Sequence, residues 1–173
     1  MTAFCLGRDA DSLCGEKHSR IFCDSFENEK LTFFSYFSIE LVTTEKTTFC
    51  VPSTPARTDF ANQFFSGLDV NSLRIGGKLS PKILIVSPDV RLSWQYHHRR
   101  AEIWRVYKGT AGIIRSDNDQ EGALEVLNEG DQVRLQQGER HRLVGLDSVA
   151  LVAEIWQHTD PQNPSDEDDI VAI

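Results

Sequence analysis

Four residues of this chain could share one ion. Gln95, His97 and Glu102 lie close together in "SWQYHHRRAEIWRVYKG" (93–109), and His141 follows in "GDQVRLQQGERHRLVG" (130–145). Together they offer two imidazoles, one carboxylate and one amide oxygen. That donor set suits a borderline divalent ion such as Zn²⁺, Mn²⁺ or Fe²⁺, with room left for water or substrate. It is too hard for a thiolate-type site and too rich in nitrogen for a typical Ca²⁺ site.

Strand periodicity decides whether these side chains can meet. On a strand, residues on one face recur every second position. Gln95 and His97 satisfy that rule. His98 points the other way, which makes it a solvent-facing or supporting residue rather than a ligand. Glu102 falls on the wrong parity unless the chain turns or bulges at His98–Arg100, and the adjacent arginines Arg99 and Arg100 mark such a turn. A glycine turn at Gly138 followed by a return strand opening at His141 brings the fourth residue alongside.

Other charged groups flank this set. Glu154 lies inside the apolar run "LVAEIWQ". A carboxylate there is costly to bury unless paired. It either faces water or sits in a polar cavity, where it becomes a candidate acid or base. Arg99, Arg100, Arg140 and Arg142 sit beside the turns. They form either a solvated rim or a cradle for an oxyanion, which a planar guanidinium binds in bidentate fashion. Arg100 and Arg142 are the phosphate-binding candidates. Trp94, Trp104 and Trp156 read as core or barrel-wall residues.

The elements that must position these groups are short strands. "KILIVS" (82–87), "VRLSWQYH" (90–97), "AEIWRVYKG" (101–109), "TAGIIRS" (110–116), "RHRLVG" (140–145) and "SVALVAEIWQH" (148–158) are separated by turn residues. No long amphipathic helix interrupts them. The pattern predicts an all-β antiparallel sandwich or barrel. Upstream, "VPSTPARTD" (51–59) reads as a breaker-rich connector and "NQFFSGLDVNSL" (62–73) as a short helix or an irregular lead-in. The acidic, turn-rich tail "TDPQNPSDEDDIVAI" reads as surface. This divides the chain into an N-terminal extension of unknown structure, 1–60, and a β-barrel domain, 61–173. Cys5, Cys14, Cys23 and Cys50 match no zinc spacing and read as free thiols.

Composition narrows the function classes. A chain of 173 residues fits one domain with an appendage. Its net charge of -8 and pI near 5.1 argue against nucleic acid and anionic membranes as partners. No apolar run reaches the ~18 residues of a membrane-spanning helix. The start "MTAFCLGRDADSLCGEK" lacks the charged opening and apolar core of a signal peptide. The expected location is cytoplasmic.

The spacing Gln95-x-His97-x4-Glu102-x6-Gly109 resembles the first cupin motif, with glutamine in place of its first histidine. Gly130-x5-Gln136-x-Gly138-x2-His141 resembles the second, with Gln136 where proline is usual. Within cupins, "LSWQYHHRRAEIW" is similar to the Q-x-H-H-H-R-x-E-x-W signature of type II phosphomannose isomerases. "GERHRLVG" resembles that family's G-x-x-H-R-L segment, and "DEDDIV" its E-D-D-I-V-R. The resemblance runs over about residues 80–171. Arg99 replaces the family's third histidine, and Ala172 stands where an arginine is expected.

The resemblance implies a cupin-type antiparallel β-barrel, a double-stranded β-helix or jelly roll. It implies a bound divalent metal, zinc first, and a small-molecule sugar phosphate as substrate. The implied reaction is isomerisation of mannose 6-phosphate to fructose 6-phosphate by enediol proton transfer. In that reading Glu154 shuttles the proton and Arg100 and Arg142 hold the phosphate. By analogy with similar barrels, a homodimer is expected. Three other readings share the parts: a sugar- or sugar-phosphate-binding cupin without turnover, an isomerase of another sugar phosphate such as a heptose phosphate, and an Fe²⁺ dioxygenase. Gln95 argues against the last, since such sites use more histidine.

Overall fold

The computed structural model describes residues 39–43 and 47–173. Cys5, Cys14 and Cys23 lie outside them, as does most of the 1–60 extension. The strands are β1 (Ile39–Thr43), β2 (Thr48–Pro52), β3 (Ser80–Val86), β4 (Gln95–His97), β5 (Arg100–Lys108), β6 (Ala111–Ser116), β7 (Leu124–Leu127), β8 (Gln132–Leu135), β9 (Arg140–Gly145), β10 (Ala150–His158) and β11 (Ile170–Ala172). They form two antiparallel sheets. One runs β1-β2-β3-β10-β5-β8 and the other β11-β4-β9-β6-β7. The expected all-β architecture is present.

The core lies between the sheets. Leu84, Val86, Trp104, Val106, Val133, Leu135 and Val152 face inward from the first sheet, and Ala111, Ile113 and Leu143 from the second. Strand β10 is buried along almost its whole length. A strand covered on both faces reads as a continuous apolar run rather than an alternating one. Helix α1 (Arg57–Phe64) packs against the neighbouring strand β3 and buries Phe60, Ala61 and Phe64. Arg105 on β5 ties the helix down by donating to the Phe64 carbonyl at 3.1 Å.

Three local readings change. The helix forms over residues 57–64, starting inside the stretch that reads as a connector and reaching only the first residues of 62–73. A 3-10 turn with proline in its first positions leads into it. Proline at a helix start costs little, because its missing N–H has no intrahelical partner there. The boundary placed between residues 60 and 61 therefore falls inside α1. Upstream of it, β2 pairs with β3 through Cys50↔Ile83 and Phe49↔Leu84, so the sheet already includes part of the supposed extension. Cys50 is a free, fully buried thiol. Finally, the acidic tail is not simply surface. Strand β11 pairs with β4, and Ser165 and Asp169 are buried.

Two glycines fit the turns that the motifs require. Gly109 (φ +80°) links β5 to β6, and a Cβ there would come within 2.9 Å of the Val149 carbonyl oxygen. Gly138 (φ +78°) makes the turn before β9 and donates to the His97 carbonyl at 3.0 Å. No helix among the described residues is long and apolar enough to cross a membrane.

Candidate metal centre

His97 closes β4 in one sheet, and Glu102 lies near the start of β5 in the other. The turn between them is His98–Arg99, and Arg100 already belongs to β5. The parity conflict resolves because the chain changes sheets at this corner. The two inner faces oppose each other, so a residue from each can point at the same spot. Strand β9 brings His141 beside them, in register with Gln95 of β4.

His97, Glu102 and His141 are each no more than 2% exposed. Their ligand atoms all lie within 4.8 Å of one another. His97 Nε2 is 3.1 Å from Glu102 Oε1, and His141 Nε2 is 3.5 Å from Glu102 Oε2. Gln95 lines the same cavity, and its Oε1 accepts from Ser93 Oγ at 2.5 Å.

The other ring nitrogens fix the tautomers. His141 Nδ1 is 2.9 Å from the Glu139 carbonyl oxygen, and His97 Nδ1 is 3.3 Å from that of Asp169. A carbonyl only accepts, so each Nδ1 carries the proton and each Nε2 presents its lone pair. His141 Nε2 is buried without a hydrogen-bond partner. Burial, acting against the attraction of Glu102, lowers the His141 pKa and favours its neutral form. Burial would raise the Glu102 pKa. The neighbouring His97, His141 and Arg100 outweigh it and hold the carboxyl well below its usual range. The Nε2 lone pairs of both imidazoles therefore face an ionised carboxylate. Such a group of acceptors is relieved by a cation, and outer partners on Nδ1 are how proteins orient metal-binding histidines. The residues present fit a divalent metal.

Arg100 and Arg142 both line the cavity, but they differ. Arg100 is 1% exposed and its guanidinium is committed to the protein. Nε donates to Glu102 Oε1 at 2.8 Å. Nη1 donates to Ser165 Oγ at 3.0 Å and the Asp166 carbonyl at 2.8 Å. Nη2 lies 3.3 Å from His97 Nε2. The plane stacks 3.7 Å from the Trp156 ring centroid. Those contacts make it a brace for the ligands rather than an open phosphate cradle. Arg142 has only a partly exposed partner, Glu121, at 2.7 Å, and its buried Nε has none. Arg99 and Arg140 pair outside the cavity, with Asp166 and Asp119.

Glu154 takes the polar-cavity option. It is 4% exposed, receives Trp156 Nε1 at 2.6 Å, and lies 3.2 Å from Lys82 Nζ. Its cross-strand neighbours are Lys82 on β3 and Trp104 on β5, while Glu102 faces Trp156 one step along. Burial and the charge of Glu102 raise the Glu154 pKa, with Lys82 and Arg100 opposing. Burial would lower the Lys82 pKa, but Glu154, Glu167 and Glu102 lift it. Both members of the pair hold protons more tightly, Glu154 chiefly through burial and Lys82 through the carboxylates around it. The cavity measures about 550 Å³, with Phe49 and Leu84 among its apolar lining.

The family model for the C-terminal domain of mannose-6-phosphate isomerase matches residues 64–173. The chain belongs to that family. All four candidate ligands, Glu154 and both cavity arginines fall within the span matched to the mannose-6-phosphate isomerase C-terminal domain. Among curated relatives, the xanthan biosynthesis protein XanB of Xanthomonas campestris pv. campestris is 36% identical over 73 residues, covering 42% of this chain and 15% of that protein. The alginate biosynthesis protein AlgA of Pseudomonas aeruginosa is 33% identical over 81 residues, covering 47% and 16%. These matches thus span only about a sixth of the relatives' length. Among solved structures, an oxalate decarboxylase from Bacillus subtilis aligns with a TM-score of 0.53 at 13% identity, over 81% of this chain and 31% of that one. CapF aligns with a TM-score of 0.54 at 14% identity, over 79% and 34%. Both show the fold.

Sequence reasoning missed Lys82, Ser165 and Asp169. Lys82 carries the same signal as Glu154, a charge in an apolar strand at the parity of Leu84 and Val86. Asp169 lies in "DEDDIV", where the motif marks the segment but not which carboxylate turns inward.

Proposed function

We propose that this chain is a metal-dependent aldose–ketose isomerase acting on a sugar phosphate, with mannose 6-phosphate to fructose 6-phosphate the first reaction to test. The observation that carries the reading is the convergence of His97, Glu102 and His141, the last two lining a cavity that also holds the buried Glu154. Family membership supports a sugar phosphate as the substrate class, and the oligomer proposed with it is a homodimer.

His97, Glu102 and His141, with the Gln95 amide oxygen, would hold the metal, zinc first and Mn²⁺ or Fe²⁺ next. A bound divalent ion supplies Lewis acidity toward oxygens of the substrate. Glu154, as its carboxylate, takes the proton from C2 of the aldose. A proton passes from the O2 hydroxyl to O1, and Glu154 returns its own proton to C1, so the balance closes on the ketose. A raised pKa makes Glu154 a stronger base, and its pairing with Lys82 keeps the carboxylate form accessible. Arg142 would hold the phosphate at the cavity edge. Arg100 keeps Glu102 ionised and aimed.

A coupled assay over a panel of sugar phosphates, run with and without chelator and alongside metal analysis, tests this. Turnover of mannose 6-phosphate that chelation removes is expected. One metal per chain with no turnover on any sugar phosphate would sink the isomerase and leave a binding module. Turnover of a heptose phosphate alone would move the substrate.

A further inference from the structure

The turn between two candidate ligands is held from outside. His98 and Arg99 separate His97 from Arg100 and Glu102, and both expose backbone N–H groups to one carboxylate. Asp169, itself 4% exposed, accepts from Arg99 N at 2.9 Å and from His98 N at 3.2 Å. It also accepts from Ser165 Oγ at 2.7 Å and from Arg99 Nε at 3.4 Å. Its own carbonyl oxygen faces His97 Nδ1 at 3.3 Å, and the next residue, Ile170, pairs with His97 across β11 and β4. From the same segment, Ser165 Oγ and the Asp166 carbonyl hold Arg100, the brace on Glu102.

We propose that Asp169 is a positioning residue for the metal centre, fixing the ring of His97 and the turn that aims Glu102. The inference rests on reading His97, Glu102 and His141 as metal ligands. The physical reason is that a two-residue turn leaves backbone donors with no partner in either sheet. Buried donors need an acceptor, and a carboxylate accepting several charge-assisted bonds is a rigid one. Burial would raise the Asp169 pKa. The Ser165 hydroxyl and the Arg99 and His98 amides outweigh it and hold the carboxylate in its ionised form. Asp169 touches neither cavity nor substrate, so its effect reaches the site through His97 and the turn. Altering such outer partners lowers metal affinity by roughly 10–100-fold in known sites.

The test compares Co²⁺ binding by the unaltered chain, Asp169→Asn and Asp168→Asn, where Asp168 is an exposed neighbour on the same turn. Affinity is read by competition with a chromophoric chelator, and ligand geometry from the Co²⁺ visible absorption. Asp169→Asn is expected to bind at least about 10-fold more weakly with an altered spectrum, while Asp168→Asn matches the unaltered chain. Affinity and spectrum unchanged in Asp169→Asn would overturn the inference alone. So would an equal loss in both variants, since that reports general undocking of the tail. Absence of Co²⁺ binding in the unaltered chain would overturn the metal reading and this inference with it. If Asp169→Asn does not fold, Ser165→Ala is read the same way, because it removes a donor to Asp169 and an acceptor of Arg100.

Discussion

His141 and Glu102 sit on strands of opposite sheets, β9 and β5, yet Nε2 of the first lies 3.5 Å from Oε2 of the second. That imidazole nitrogen has no hydrogen-bond partner. Few arrangements leave a buried lone pair facing a carboxylate unless a cation joins them.

Metal content should therefore depend on these side chains one at a time. His141→Ala and His97→Ala are each expected to weaken Zn²⁺ or Co²⁺ binding by more than the ~100-fold upper range of outer-partner changes. Metal analysis after dialysis against a weak chelator reads this. Retention of one ion per chain in both variants would refute the site.

The two cavity arginines should separate by experiment. Arg100 is a buried partner of Glu102, so Arg100→Met leaves a carboxylate unpaired in the interior. It should cost about 3–5 kcal/mol of stability in urea unfolding. Arg142 pairs with the partly exposed Glu121, so Arg142→Ala should cost no more than about 1 kcal/mol. In the proposed reaction it should raise KM for the sugar phosphate while kcat changes less. Comparable stability losses in the two variants would remove the distinction.

The contrast between these arginines also shows what the sequence made legible. The candidate ligands were readable because their types are rare on an apolar strand face and three of the four lie within one short stretch. The inward placement of Glu154 followed from its apolar flanks. Arg100 was not readable as a brace, because Ser165 and Asp166 are more than sixty positions away and no periodicity joins them. The tail misled for a related reason. Acidic composition reads as solvated, and only the nonlocal donors of His98 and Arg99 make Asp169 an inside residue. Sheet order is likewise nonlocal: β10 lies between β3 and β5, a pairing that strand patterns alone do not specify.

Lys82 and Glu154 should be strongly coupled. Their side chains are 11% and 5% exposed and 3.2 Å apart. Lys82→Met leaves the carboxylate with Trp156 as a neutral donor and should cost about 3 kcal/mol. Adding Glu154→Gln removes the charge and should recover much of that loss. A double-mutant cycle in urea measures the coupling, and simple additivity of the two changes would contradict it.

Acid sensitivity should trace in part to His158. Its imidazole is 4% exposed, with Nε2 3.1 Å from Ser80 Oγ and Nδ1 unpartnered. Burial, with the fields of Lys78 and Arg100 and against that of Asp169, lowers its pKa from 6.5 to about 4. Between those values the unfolded chain binds the proton and the folded one does not. Stability linked to this group is therefore present above about 6.5 and falls as the pH drops toward about 4. His158→Gln keeps a polar group near Ser80 and cannot titrate. Urea midpoints of the metal-free protein at several pH values from neutral to mildly acidic should fall less steeply in the variant than in the unaltered chain. Parallel slopes would show that His158 is not the sensor, and leave the acid response to His141, whose pKa burial also lowers.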